Sequence, residues 1–556
     1  MGVLMPSKYI FVTGGVMSGL GKGVVTASIA KLLQLSGYNV SCMKIDPYLN
    51  VDAGTMNPMI HGEVFVTDDG GECDMDIGMY ERFLDVNLSR EHNLTAGKVF
   101  SSVIEKERRG DYLGQCVQII PHVTDEIKHR IRELASKNKL DVLVVECGGT
   151  VGDIEGLPFL EAMRQMRLEE GPNDVLFVHV TLAPILDVVG EVKTKPTQHS
   201  VQELRRIGIQ PDMIAVRSKI MLNDDVKRKI ALFTNVRMQD VISCHDINTI
   251  YEIPEVLARQ GIIDTIKERL QMSKDNSDEY SVARWHDIVN SYRSMKGGIR
   301  IAMIGKYVKL ADSYVSVNHA LNHAAAMLGY KVIIDHIDSE IFEEGGYPNH
   351  DGKFSILDKY AGILVPGGFG RRGSEGIIRV ADYARVNNIP YLGICFGFQL
   401  AIVAYARYTC MLDGANSTEI DEGTEHPVVS LLPEQRSIDR LGGTMRLGLH
   451  EIDIKSDTLA YKIYKSRKIY KRHRHRYELN PDYRSILESN GLIFSGWSDN
   501  ARRMEILELS NHRFYFAVQY HAEFTSRPGR AEEAFLAFVN ASIEYARSRG
   551  LIEGER

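Results

Sequence analysis

No apolar stretch in this sequence reaches the roughly 20 residues a membrane-crossing helix needs, so no membrane association is expected. The opening residues Met1-Gly2-Val3-Leu4-Met5-Pro6 lack a charged segment followed by a long apolar core, so no signal peptide is expected either. Cysteine is sparse: seven residues, an odd number, with no CxxC pair. That argues against a disulfide framework or a structural zinc site and for a reducing, cytoplasmic setting. Internal repeats and low-complexity tracts are absent, which excludes solenoids and disordered arrays. Positive charge is not in excess. The net charge is −7, so no nucleic-acid partner is expected, and an anionic substrate must be held by local Lys and Arg clusters.

What remains is an ordinary globular composition, 44% apolar and 25% charged, over 556 residues, enough for two to four domains. Short apolar runs alternate with helical patterns. In the first half these are residues 8–13, 40–45, 141–146, 175–180 and 213–216; in the second, a run from Ile299 and then 331–335, 362–365, 390–394 and 514–520. Such alternation predicts an α/β protein with two doubly wound, mostly parallel sheets. A polar stretch from Ser273 to Glu279, followed by one helix over about 282–292 and Lys296-Gly297-Gly298, reads as a linker. The expected division is 1–270, a linker over 271–298, 299–545, and a tail over 546–556.

The first half carries Thr13-Gly14-Gly15-Val16-Met17-Ser18-Gly19-Leu20-Gly21-Lys22-Gly23 between a strand and a helix. Glycines there let backbone N–H groups converge on a phosphate, the helix N-terminus adds partial positive charge, and Lys22 adds a full one. The spacing departs from a regular phosphate loop: Gly15 lies seven positions before Lys22, and Gly23 replaces the Ser or Thr that normally holds magnesium. The metal must then rest on carboxylates, of which Glu146, closing an apolar strand, and Asp76 are the candidates. Lys193 and Lys195 alternate with Thr194 before Pro196, which suggests an extended segment with two ammonium groups on one side; a solvated loop is the alternative.

The second half carries Gly393-Ile394-Cys395-Phe396-Gly397 at the end of a strand, the shape of a nucleophile elbow. His521 and Glu523 follow a late apolar strand two residues apart, so strand alternation places them on one face, where Glu523 can orient His521. Gly367-Gly368-Phe369-Gly370 after another strand offers amides for an oxyanion. The basic run from Lys462 to Arg476 divides evenly between a solvated face and an interdomain or anion-binding role.

The blocks PGGFG, GICFGFQ and the late His-x-Glu resemble a class I glutamine amidotransferase domain. GGVMSGLGKG, KIDPYLNVDAGTMNP, YERF, ECGGTVGDIEGLPF and KTKPTQHS resemble the synthetase domain of the CTP synthase family, whose first domain is similar to dethiobiotin synthetase. The resemblance covers nearly the whole chain. It implies ATP-dependent amination of UTP to CTP with ammonia from glutamine, through a 4-phosphorylated UTP and internal ammonia transfer. By motif position it implies Ser18, Gly19, Leu20, Gly21, Lys22, Gly23, Lys44 and Asp76 at ATP, and Asp76 and Glu146 at Mg2+. Ser18, Lys193, Thr194, Lys195, Gln198 and Lys229 fall at UTP, and Asp153, Ile154 and Glu155 at CTP. Cys395, His521 and Glu523 form a catalytic triad, with Gly368, Phe396, Gln399, Glu419 and Arg476 at glutamine. It further implies a homotetramer, activation by GTP and feedback inhibition by CTP. Another ATP-dependent amidoligase of the same build, or a partition-type ATPase switch, are the alternatives.

Overall fold

The computed structural model describes residues 7–186, 191–273, 278–308, 310–344, 352–431, 435 and 443–554. The first six residues, the linker residues Lys274 to Ser277 and the last two residues of the tail lie outside them. The chain divides into two units: Met1–Ala53 with Asp76–Arg293, and Gly54–Met75 with Ser294–Arg556.

The first unit is built on seven parallel strands, in the order Val241–His245, Met213–Ser218, Val175–Leu182, Lys8–Gly14, Val142–Cys147, Val40–Asp46, Asn93–Thr95. Its central strands are apolar throughout because both faces are covered. Tyr9, Phe11, Met43, Ile45, Leu143 and Val145 join one core with helices Ala96–Arg109, Thr124–Lys137 and Leu157–Glu170. The alternate residues Ile10, Val12, Cys42 and Val144 are fully buried as well, and helix Lys22–Leu35 packs on these same strands.

The second unit repeats the principle. Strands Lys331–Asp338, Gly298–Gly305, Gly362–Val365, Tyr391–Ile394 and Tyr515–Val518 run parallel. They continue into four antiparallel strands, Arg503–Glu508, Ile493–Ser498, Arg446–Ile454 and Lys468–His475. On the parallel part, Ile363, Val365, Tyr391 and Ala517 point to helices Ser374–Val386 and Phe396–Tyr408. Leu364, Leu392, Phe516 and Val518 point to helices Val315–Leu328 and Glu533–Arg549. No described helix is long and apolar enough to cross a membrane.

The inner part of the basic run is not a solvated face. It forms the strand Lys468–His475, and its cations pair inside the second unit: Lys471 with Glu532 at 2.8 Å, Arg474 with Glu72 at 2.8 Å, Arg472 with Asp68 and with the Val66 carbonyl at 3.1 Å. Burial is affordable because each charge meets an acceptor. Behind it, fully buried Glu505 lies 2.9 Å from His473 Nε2 and accepts from Arg446 at 2.7 Å and Ser498 at 2.6 Å. Burial alone would raise the Glu505 carboxyl, but His473 and Arg446 outweigh it and hold it well below the usual carboxylate range. Its contribution to stability is therefore present at neutral pH and lost as pH falls through that depressed pKa. Burial pushes His473 down to about 4, so Arg446 is the cation of this cluster at neutral pH. Glu505→Ala removes its nearer carboxylate and leaves His473 and Ser498 without their acceptor, which costs about 3–5 kcal/mol. The loss is read as a lower denaturant midpoint, and an unchanged midpoint refutes the account.

Candidate functional site

In the first unit, strand Lys8–Gly14 runs into a loop that turns through positive φ at Val16, Gly19 and Gly21, and Gly21 caps helix Lys22–Leu35. The loop amides and the helix N-terminus thus share one concavity. Lys22 Nζ reaches the Gly149 carbonyl, and Val151 N–H donates to the Gly14 carbonyl at 2.8 Å, so the loop bearing Asp153, Ile154 and Glu155 lies against the glycine loop. Asp153 accepts from the Thr150 N–H at 2.8 Å, and Ile154 is exposed.

Lys44 and Glu146 are register partners on adjacent parallel strands, which explains their contact at 3.0 Å. Lys44 also pairs with Asp76, and the Tyr80 hydroxyl donates to the other Glu146 oxygen. Glu146 is almost fully buried; burial and then Asp76 push its carboxyl up, against Lys44. Two hard oxygen donors whose mutual repulsion one lysine only partly relieves fit a divalent cation of the magnesium type. Position 23 fits the same reading. A Cβ on Gly23 would fall inside the Asp76 carboxylate, so the acid occupies the space a Ser or Thr would fill. Tyr80 was not singled out in the sequence, where it is one tyrosine on an amphipathic helix; nor was Asp46, which takes a 2.7 Å hydrogen bond from Asn93.

The segment around Lys193 corrects an expectation. Only Glu191–Val192 is extended; Thr194 already has helical φ and ψ, and Lys195 opens helix Lys195–Arg206 with Pro196 in its first turn. Proline needs no N–H partner there, so it starts the helix and does not prolong an extended segment. Lys193 pairs with Glu191 at 2.6 Å, Lys229 acts on the same carboxylate, and Gln198 donates to Thr194 at 3.1 Å. Ser200 of this helix lies 2.6 Å from His179 Nε2, and His179 Nδ1 lies 2.9 Å from Thr13. Burial, then Lys22, push His179 down to about 3, leaving a neutral bridge from the helix to the strand beneath the glycine loop.

In the second unit, Cys395 stands at φ 53°, ψ −98°, the N-cap of helix Phe396–Tyr408. This is the strained strand-to-helix turn that projects a nucleophile above a sheet. His521 Nδ1 lies 2.7 Å from Glu523 Oε1, while His521 Nε2 has no hydrogen-bond partner among the described residues. The pair arises otherwise than by strand alternation: the strand ends at Val518, and a one-turn 3-10 helix Ala522–Thr525 brings Glu523 back. Burial opposes the imidazolium, but Glu523 and then Cys395 outweigh it and push His521 up to about 10. A Cβ on Gly367 would approach His521 Cε1 to 2.9 Å and Cys395 Cβ to 3.8 Å, so glycine is required where loop, base and thiol converge. A cavity of about 60 Å³ opens there, lined by Gly367, Gly368, Phe369, Cys395, Arg474 and His521.

The remaining expected residues do not line this cavity. Glu419 accepts from the Gly370 N–H at 2.7 Å, Gln399 donates to the Tyr477 carbonyl at 2.7 Å, and Arg476 donates to Thr444 at 3.0 Å. Lys306 is buried against the same loop and was not foreseen, since one lysine after an apolar strand carries no distinguishing signal.

Two family models match the chain: the CTP synthase N-terminus over residues 8–272 and the class-I glutamine amidotransferase over residues 309–541. A CTP synthase of Pyrococcus abyssi is 54% identical over 98% of this chain and 99% of its own length. That of Saccharolobus solfataricus is 52% identical over 97% and 99%. A solved glutaminase domain of Trypanosoma brucei CTPS with bound acivicin is 37% identical, covers 44% of this chain and 94% of its own, and superposes with a TM-score of 0.41. With such likeness over almost every residue of both partners, and with both domain models present in order, the chain belongs to the CTP synthase family.

Proposed function

We propose that the two sites divide one reaction between them. The reaction itself is the glutamine-dependent conversion of UTP to CTP, with ATP as co-substrate. The observation that carries the division is the Cys395 elbow beside an imidazole held by Glu523, with Nε2 left open.

In this reading the Cys395 thiolate attacks the carboxamide carbon of glutamine. Amides of Gly368 and Phe396 face the developing oxyanion. The C–N bond breaks, His521 Nε2 gives its proton to the departing nitrogen, and ammonia leaves a thioester that water hydrolyses to glutamate. Gln399, Glu419 and Arg476 hold the substrate's polar ends. In the first unit, Ser18 to Gly23 and Lys44 cradle ATP; Ser18, Lys193, Thr194, Lys195, Gln198 and Lys229 hold UTP; and Asp153, Ile154 and Glu155 recognise CTP as an inhibitor. The 4-oxygen of UTP takes the terminal phosphoryl group of ATP, and ammonia displaces it as phosphate. Asp76 and Glu146 would hold Mg2+, which when bound supplies positive charge at the phosphates. GTP activation, a homotetramer and a cytoplasmic setting follow from the resemblance, and free cysteines at all seven positions suit the last.

The test is CTP formation from UTP and ATP with glutamine or with ammonia, followed by absorbance; no CTP from either donor sinks the assignment. The pH dependence tests the triad. His521 held protonated up to about pH 10 places the loss of the general acid near that value in the native enzyme. Glu523→Gln removes the first charge that raises it, so the alkaline limb of the glutamine-supported rate moves down by a unit or more, and the rate itself falls by about 10²–10⁴. An unmoved limb means that Glu523 does not set the His521 charge.

A further inference from the structure

We propose that Lys306 is a positioning residue for the oxyanion loop, clamping Gly368 to Gly370 in one peptide orientation; this rests on the oxyanion reading of that loop. Lys306 follows strand Gly298–Gly305 and is only 3% exposed. Its ammonium donates to the Phe369 carbonyl at 3.2 Å, to the Gly370 carbonyl, and to Ser374 Oγ at 3.0 Å, the first residue of helix Ser374–Val386. Two consecutive carbonyls are thus fixed on one side, while Glu419 takes the Gly370 N–H on the other. A peptide whose C=O and N–H are both claimed cannot rotate without breaking a charge-assisted hydrogen bond. The stem does more: a Cβ on Gly368 would meet Lys306 Cδ at 3.6 Å, and the ammonium lies 4.1 Å from the Phe396 ring centroid, a cation–π contact. The outer half of one side chain therefore lies beside both residues expected to supply oxyanion amides. Burying an ammonium is costly where an apolar residue of equal volume would fill the space, and burial pushes Lys306 down to about 8. Its use is the orientation of backbone dipoles, and the Cys395 chemistry gives it no other.

The experiment compares wild type, Lys306→Met and Lys306→Arg with three probes: glutamine turnover, the γ-aldehyde of glutamate as a tetrahedral-adduct inhibitor, and alkylation of Cys395 by iodoacetamide. Lys306→Met lowers glutamine kcat and weakens aldehyde inhibition in parallel, by about 30- to 100-fold, a large part of the ~10²–10³ that one lost oxyanion donor costs. The alkylation rate stays close to wild type, because the thiolate itself is untouched. Lys306→Arg, which keeps donors and charge, recovers most of the loss. Three results overturn the proposal: aldehyde inhibition unchanged in Lys306→Met, alkylation falling as far as kcat, or Arg no better than Met. A wild type that the aldehyde does not inhibit overturns the oxyanion reading itself.

Discussion

Cys395→Ala abolishes glutamine-supported CTP formation, by about 10⁴-fold or more, and leaves ammonia-supported formation largely intact. The side chain removed is the nucleophile, so no thioester forms, and neither His521 nor Glu523 can substitute for a missing bond-forming atom. Alanine takes the φ 53° of this position with no more strain than cysteine did, because both carry a Cβ, so the elbow keeps its shape. The measurement is the pair of rates, glutamine against ammonia, on one preparation. Equal loss of both would refute two separable sites; retained glutamine turnover would remove Cys395 from the chemistry.

Lys22→Ala abolishes both rates, by about 10³-fold or more, because phosphoryl transfer precedes amination whatever the source of ammonia. The contrast with Lys44 makes the case. Lys44 is already committed to Asp76 and Glu146, whereas Lys22 touches only the neutral Gly149 carbonyl and makes no ion pair among the described residues. Its charge is free for an incoming polyphosphate at the helix N-terminus. The check is CTP formation with ammonia at saturating UTP and rising ATP. Persistence of the ammonia-supported rate would mean that the glycine loop is not the phosphate cradle.

Much of this was legible in the sequence. Apolar runs gave the strands because a parallel sheet covered on both faces needs them, and the elbow at Cys395 is written locally in its flanking glycines. What could not be read depended on which strands become neighbours. Lys44 meets Glu146 only because their strands are adjacent in register, and nothing in either run specifies that pairing. Asp76 and Tyr80 reach them from helix Met75–Leu84, a tertiary placement that no local run specifies either. Lys195 was misjudged because Lys-Thr-Lys-Pro reads equally as an extended stretch or as the first turn of a helix. The basic run was ambiguous for a related reason: Asp68 and Glu72, which pair with Arg472 and Arg474, lie about 400 positions away in the chain. That Gly54–Met75 groups with residues after Ser294 leaves no trace in composition.

The missing side chain at position 23 fixes the room that Asp76 has. A hydroxyl-bearing side chain there and the carboxylate of Asp76 compete for one volume, so the first makes the second shift. Gly23→Ser, the change that would make the loop look regular, displaces the acid while supplying only a neutral oxygen. Removing Asp76 first leaves neither donor. The irregular loop and Asp76 are therefore coupled: what stands at position 23 decides where the acid can sit. A search that demands a hydroxyl after the lysine passes over this chain.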